Sequence, residues 1–255
     1  MKKIVLSLSV ILLLMANHLN AQYYTYSYQP WYGPKSLGIN IGTNVFFNKP
    51  TFDFNTNNLE LKSSAPQRLS PSFGIFYSED GRSNSFSYGY EANLNYIPTG
   101  ASATFSTITD TYECKIRQQN LQLVAGLYAG YAFSDQFDLC VAVNISEQFT
   151  LKSTYEVSKN GGTADKVKVT KGDPRETMIS FNSFCIPISL RATYFISENI
   201  FVKGTLNAYV FNVNFFKDNI YSTAYCAVNI DNEQVYYGSK WKAAGLMLSI
   251  GYMWK

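Results

Sequence analysis

The chain has 255 residues and a formal net charge of +3, with 16% aromatic and only 15% charged residues. So small a positive excess is not the basic footprint of a nucleic-acid binder. No second run of 18 or more apolar residues follows the N-terminal segment, which argues against a spanning helix. Tyr and Phe are plentiful and no window carries a 3.6-residue period, so an all-β chain is expected.

The N-terminus "MKKIVLSLSVILLLMANHLNA" has a basic start (Lys2, Lys3), an apolar run to Met15 and a polar stretch ending at Ala21. It reads as a secretory signal, residues 1–21, cut after Ala21, and no cysteine follows the run to suggest lipid attachment. Losing its two lysines takes the balance from +3 to +1. Residues 22–35, "QYYTYSYQPWYGPK", form a Tyr/Pro-rich segment, and residues 36–255 read as one β-barrel domain.

Eight segments in residues 36–255 alternate apolar and polar residues with period 2, the mark of strands with one wall of each kind. In chain order they are Ser36–Phe47, Ser70–Tyr77, Ser85–Tyr96, Leu121–Phe133 (starting nearer Tyr112), Phe137–Thr150, Met178–Ile196, Ile200–Phe211 and Trp241–Trp254. In the third, Phe86, Tyr88, Tyr90, Ala92, Leu94 and Tyr96 face one way, and Ser87, Gly89, Glu91, Asn93 and Asn95 the other. Pro187 weakens one ladder position of the sixth.

Connections alternate in length. "SEDGRSN" (Ser78–Asn84), "SDQ" (Ser134–Gln136) and "SEN" (Ser197–Asn199) are short, whereas roughly Asn48–Leu69, Pro98–Thr111, Leu151–Thr177 and Asn212–Tyr237 are long and polar. Tight turns at one end and long loops at the other predict an eight-stranded antiparallel up-and-down transmembrane β-barrel with short periplasmic turns and long extracellular loops.

Volume decides which wall faces out. The interior of an eight-stranded barrel is just wide enough for side chains to fill. Only the Gly, Ser, Asn, Thr and Ala wall is small enough to go inside, so the Tyr, Phe, Leu and Ile wall is expected to face lipid. Phe86, Tyr131, Phe133, Phe137, Tyr194, Tyr252 and Trp254 fall near the turn-side strand ends, as an interfacial aromatic girdle would.

Four charges fall on the polar wall, Glu91, Asp138, Arg191 and Lys203, with Glu113 and Arg117 assigned to it higher on the fourth strand. They read as a lumen charge lattice that plugs the barrel, in preference to an ion path. Cys140 and Cys185 read as buried free thiols; Cys114 and Cys226 lie nearer loops and would pair only if the fold joined them. Gly161-Gly162 reads as loop flexibility, and Lys166, Lys168 and Lys171 as a solvated face or a contact to anionic lipopolysaccharide.

Catalytic and metal chemistry are not expected. The lone histidine, His18, lies in the signal, which removes Ser-His-Asp hydrolysis and the commonest metal ligand, and no cofactor motif appears.

The motifs "GYAFSDQFDL" (Gly130–Leu139), "ATYFISENIFV" (Ala192–Val202) and the closing "LSIGYMWK" resemble outer-membrane β-barrel proteins of the Bacteroidetes type, similar to the PorT-like family and more remotely to the OmpA-like transmembrane domain. The resemblance implies a Gram-negative outer-membrane location, outer-membrane lipid, lipopolysaccharide and the barrel-assembly machinery as partners, and compartment and fold more than activity. Lys255 after Trp254 departs from the usual terminal aromatic. The expected role is a non-enzymatic barrel acting structurally or through its outer loops. A narrow channel or transport component, and a soluble periplasmic lipocalin-like barrel, are the alternatives.

Overall fold

The computed structural model describes residues 33–47, 51–53, 58–83, 85–163, 165–168, 181–213, 226–230, 233–238 and 243–254. The signal at 1–21, the stretch 22–32 and Lys171 lie outside them. Eight long strands, β1 (Lys35–Phe46), β2 (Leu69–Ser83), β3 (Phe86–Ser106), β4 (Thr111–Ser134), β5 (Phe137–Lys159), β6 (Phe181–Phe195), β7 (Ile200–Val213) and β8 (Ala243–Trp254), pair each with its chain neighbour. The ring closes where β1 meets β8 antiparallel, from Lys35 opposite Trp254 to Phe46 opposite Ala243. The fold is therefore an antiparallel up-and-down barrel of eight strands, as the alternation predicts. β8 lies between β7 and β1, so neither of its edges is left open.

The wall assignment also follows the alternation. Leu37, Ile39, Ile41, Leu127, Val141, Val143, Leu206, Leu246, Leu248 and Ile250 are exposed on the outside, Leu127 at 70% and Leu248 at 61%. Asn40, Asn95, Gln122, Asn144, Ser189, Asn207 and Ser249 are buried inside.

Three strands are longer than their apolar stretches suggest. Pro98–Ser106 and Leu151–Lys159, expected as loop, continue β3 and β5, and only Thr107–Asp110 turns between β3 and β4. The reason is a change of wall. Above Gln119 the apolar residues of β4 (Tyr112, Cys114, Ile116) point inward, while Glu113, Lys115 and Arg117 point out. Likewise Ser78–Ser83, expected as a turn, belongs to β2, because the ladder to β3 continues as far as Ser83 opposite Phe86 while the side chains of residues 78–82 alternate between lumen and outer face.

Glu60–Pro66 adds to the upper part of β3, and Asp165–Lys168 to β5. A separate sheet of three short strands, Thr51–Asp53, Cys226–Ile230 and Glu233–Gly238, contributes Ile230 and Val235 to an apolar cluster with Ala103, Phe105, Tyr112, Ile116 and Tyr155. At the hairpin tip, Asp110 accepts from Lys159 Nζ (2.8 Å) and Asn160 Nδ2 (2.8 Å), which hold its carboxyl below the ordinary range. The long-loop end is thus a packed extension with its own core.

The lumen is not lined by small residues alone. Phe76, Phe201 and Tyr128 point inward and are buried. Glycines make the room: a Cβ on Gly251 would overlap the Phe201 ring and stand 2.9 Å from Cζ of Phe76, and one on Gly38 would overlap Phe76. Replacing Gly251 with Val should therefore lower stability by about 1–3 kcal/mol through overpacking, read as a shifted midpoint of urea unfolding. Deleting β8 removes both seams it forms, and should leave no heat-resistant, compact species on a gel.

Candidate functional site

The lumen is stratified by height. At the short-turn end, Glu91 of β3 accepts from Lys203 Nζ of β7 and from Arg191 Nη1 of β6 at 3.4 Å, while its other oxygen accepts from Asn93 Nδ2 at 2.9 Å. Arg191 Nη2 also donates to Asp80 of β2 at 3.0 Å, and its guanidinium lies 3.9 Å from the Tyr128 ring centre. Tyr128 donates its hydroxyl to Asp80, whose other oxygen accepts from Ser36 and Ser78, each at 3.2 Å. Lys203 Nζ stands 3.7 Å from the centre of the Phe76 ring. Two acids and two bases therefore meet as a neutral, hydrogen-bonded group joining β2, β3, β6 and β7.

Three of the four charges assigned to the lumen from sequence, Glu91, Arg191 and Lys203, join in this group. Asp138 does not: it accepts from Arg82 and, at 3.0 Å, from Ser87. Asp80, Arg82 and Tyr128 were missed. The two charges sit in a segment that reads as a turn, and Tyr128 sits among small residues of the polar wall; only their parity within the strand register places them inside. Glu113 and Arg117 stand on the outer face and are exposed, contrary to the expectation, because they share the parity of Leu121 rather than of Gln122.

Above the charges lies a layer of amides and hydroxyls. Ser249 donates to Asn40 (2.6 Å), which donates to Asn93 (2.8 Å); Asn144 donates to Ser189 (2.9 Å) and Ser189 to Asn207 (2.6 Å); Gln122 donates to Ser146 (2.9 Å). Higher still, Phe46 (β1), Ile97 (β3), Cys185 (β6), Tyr209 (β7) and Ala243 (β8) pack into one apolar cluster drawn from five strands. The polar layer is thus bounded by charges below and by an apolar plug above.

The aromatic residues of the expected girdle, Phe86, Tyr131, Phe133, Phe137, Tyr194, Tyr252 and Trp254, are all exposed on the outer wall. The register groups them at the short-turn rim: Phe86 opposite Tyr131, Phe137 opposite Tyr194, Trp254 opposite Lys35. Tyr77 and Tyr90 extend the group, with rings 6.3 Å apart and Tyr77 donating to Glu79 at 2.6 Å. Cys114, Cys140 and Cys185 are buried free thiols, and in the extension burial pushes the Cys114 thiol up to about 12. The side chains of Cys226, Lys166 and Lys168 lie outside the described residues. Among the described residues no group of His, Cys, Asp and Glu is arranged to hold a metal.

Fold and site together define a closed antiparallel barrel with a side-chain-filled lumen and an apolar outer belt. Among solved structures it is similar to Ail, the attachment invasion locus protein of Yersinia pestis (9% identity, TM-score 0.35, covering 87% of this chain and 99% of that one). It is also similar to the outer membrane protein OprG of Pseudomonas aeruginosa (9%, 0.43, 87% and 96%) and the outer membrane protease OmpT of Escherichia coli (12%, 0.34, 90% and 97%). No protein-family model matches the chain, and no curated protein matches it in sequence.

Arg191→Met would strand Asp80 and weaken the hold on Glu91. Removing one partner of a buried ion pair costs about 3–5 kcal/mol, so the heat-induced mobility shift should move to markedly lower temperature. Adding Asp80→Asn should recover part of the loss.

Proposed function

We propose that this chain is an integral outer-membrane β-barrel without enzymatic activity, closed to solute flow, that holds a rigid extension above the membrane for structural or binding duties. One observation carries the reading: the polarity of the two walls exchanges along a single strand. From Leu121 to Phe133, β4 is apolar outside (Leu121, Leu123, Ala125, Leu127, Ala129, Tyr131, Phe133) and largely polar or small inside; above Gln118 it is polar outside (Thr111, Glu113, Lys115, Arg117) and apolar inside (Tyr112, Cys114, Ile116). Twelve residue steps at about 3.3 Å, tilted by roughly 40°, make a belt roughly 30 Å tall, close to the hydrocarbon core of a bilayer. The extension follows the rule for water, apolar within and polar without, and the belt follows the rule for lipid.

Ring closure supports the same reading, since lipid offers no partner to an open strand edge. A soluble lipocalin-like barrel would carry the reverse polarity over the belt. The charge group and the apolar plug, lying at different heights, weigh against a channel. Export through a cleaved signal, the PorT-like kinship, and contact with lipopolysaccharide and the assembly machinery belong to this proposal, resting on the N-terminal segment and the motifs "GYAFSDQFDL", "ATYFISENIFV" and "LSIGYMWK". The absence of histidine from residues 19–255 supports the non-enzymatic part.

Leu127 stands near the middle of the belt, where a lysine facing lipid costs about 2–4 kcal/mol. Leu127→Lys should therefore destabilise the protein in lipid vesicles by that amount in urea titrations. A neutral effect, with the protein soluble in the absence of lipid, would refute the membrane reading. In planar bilayers the wild-type protein should pass no steady current, and a persistent open state would refute the closed lumen.

A further inference from the structure

On the outward wall of β3, β4 and β5 the register arranges residues in rows across the strands. Tyr96, Leu121 and Phe149 form the last apolar row. The next row holds Pro98, Gln119 and Lys152, and the one above it Gly100, Arg117 and Thr154. Only in the third row does an acid appear, where Glu156 stands directly opposite Lys115. The two rows bordering the belt thus carry two cations and no anion.

Two other cations of the extension have partners, Lys62 with Glu60 at 2.6 Å and Lys159 with Asp110 at 2.8 Å. Arg117 and Lys152 are exposed, and among the described residues neither forms an ion pair. They occupy diagonal positions on adjacent strands, about 7–8 Å apart at the backbone. Two like charges so placed repel unless an anion lies between them. At Gly100, opposite Arg117, a Cβ would stand 2.9 Å from the Gln67 amide oxygen, so that flank holds a neutral amide, and Gln119 and Thr154 add further neutral polar groups. Below the two rows, Glu147 stands on the outer wall within the belt, opposite Leu123 and two rows from Lys152.

We propose that Arg117 and Lys152 clamp the phosphate of a lipid headgroup in the leaflet bordering the long-loop end. The inference rests on the membrane reading above and names one lipid contact within it. Successive rows rise by roughly 5 Å, so Lys152 stands roughly 5 Å and Arg117 roughly 10 Å above the last apolar row; with a headgroup zone of about 5–7 Å beyond the hydrocarbon, Lys152 lies within it and the long Arg117 side chain reaches down to it from its upper edge. The Lys152 stem can lie along the top of the belt with its ammonium raised. Arg117 offers a planar fork that matches two phosphate oxygens at once.

The test uses the full chain, wild type and Arg117→Gln/Lys152→Gln, reconstituted in phosphatidylcholine vesicles with or without lipid A, and lipid A retained by the purified protein is then counted by native mass spectrometry. Both proteins should insert equally into plain phosphatidylcholine. Wild type should retain lipid A, and the double variant roughly tenfold less or lower, on the scale expected for two basic groups at an anionic surface. Arg117→Lys/Lys152→Arg should restore most of the retention, and dephosphorylated lipid A should not be held. Equal retention by wild type and the Gln variant would overturn the clamp while leaving the barrel reading intact. Complete displacement of lipid A by millimolar inorganic phosphate would overturn the lipid assignment. Failure of wild type to insert at all would overturn the membrane reading and the clamp with it.

Discussion

The seam between β1 and β8 is the contact on which the rest of the molecule depends. It joins the first and last strands along twelve opposed positions, Lys35 with Trp254 through Phe46 with Ala243, and so turns a sheet into a ring. A backbone in lipid has no water to bond, so every strand edge must find another strand. Without that seam the outward residues of the belt would flank two open edges. With it, they surround a cylinder in which each of the eight strands has a partner on both sides.

Closure also dictates what can be inside. Side chains fill the lumen, and there Glu91, Asp80, Arg191 and Lys203 are held together because each balances another. Their partners come from β2, β3, β6 and β7, so the electrostatic group ties distant parts of the wall across the interior. Phe76 and Phe201 fill the space nearby, where Gly38 and Gly251 give up their side chains. The same exchange of large for small recurs along the wall, with the Tyr128 hydroxyl crowding Gly89.

Period-2 alternation was enough to read the eight strands, the outward wall and the pairing of β8, because a one-residue slip would turn every belt residue inward. It failed where the polarity of the walls reverses. Ala101, Ala103 and Phe105 look like scattered apolar residues in a polar loop until they are seen to face a core made of Ile230 and Val235, which arrive from far along the chain. Arg117 was assigned to the wrong wall for the same reason: polar residues were read as lumenal throughout, although that holds only within the belt. Of the lumen charges, Glu91, Asp138, Arg191 and Lys203 were legible from parity within clear strands, although Asp138 pairs apart from the other three. Asp80 and Arg82 were not, because "SEDGRS" has the composition of a turn and only the β2–β3 ladder shows it to be strand.

β3, β4 and β5 run without a break from the short-turn rim through the belt to the outer tip, at 21, 24 and 23 residues. The extension is therefore continuous with the wall, with no linker between them. Anything that grips the tip near Thr107–Asp110 pulls along these strands, and the load falls in shear on the ladders that bind them to their neighbours. Shear engages many hydrogen bonds at once, where peeling would break them singly. Pulled at its tip, such an extension resists separation from the wall far better than a loop joined by a linker would.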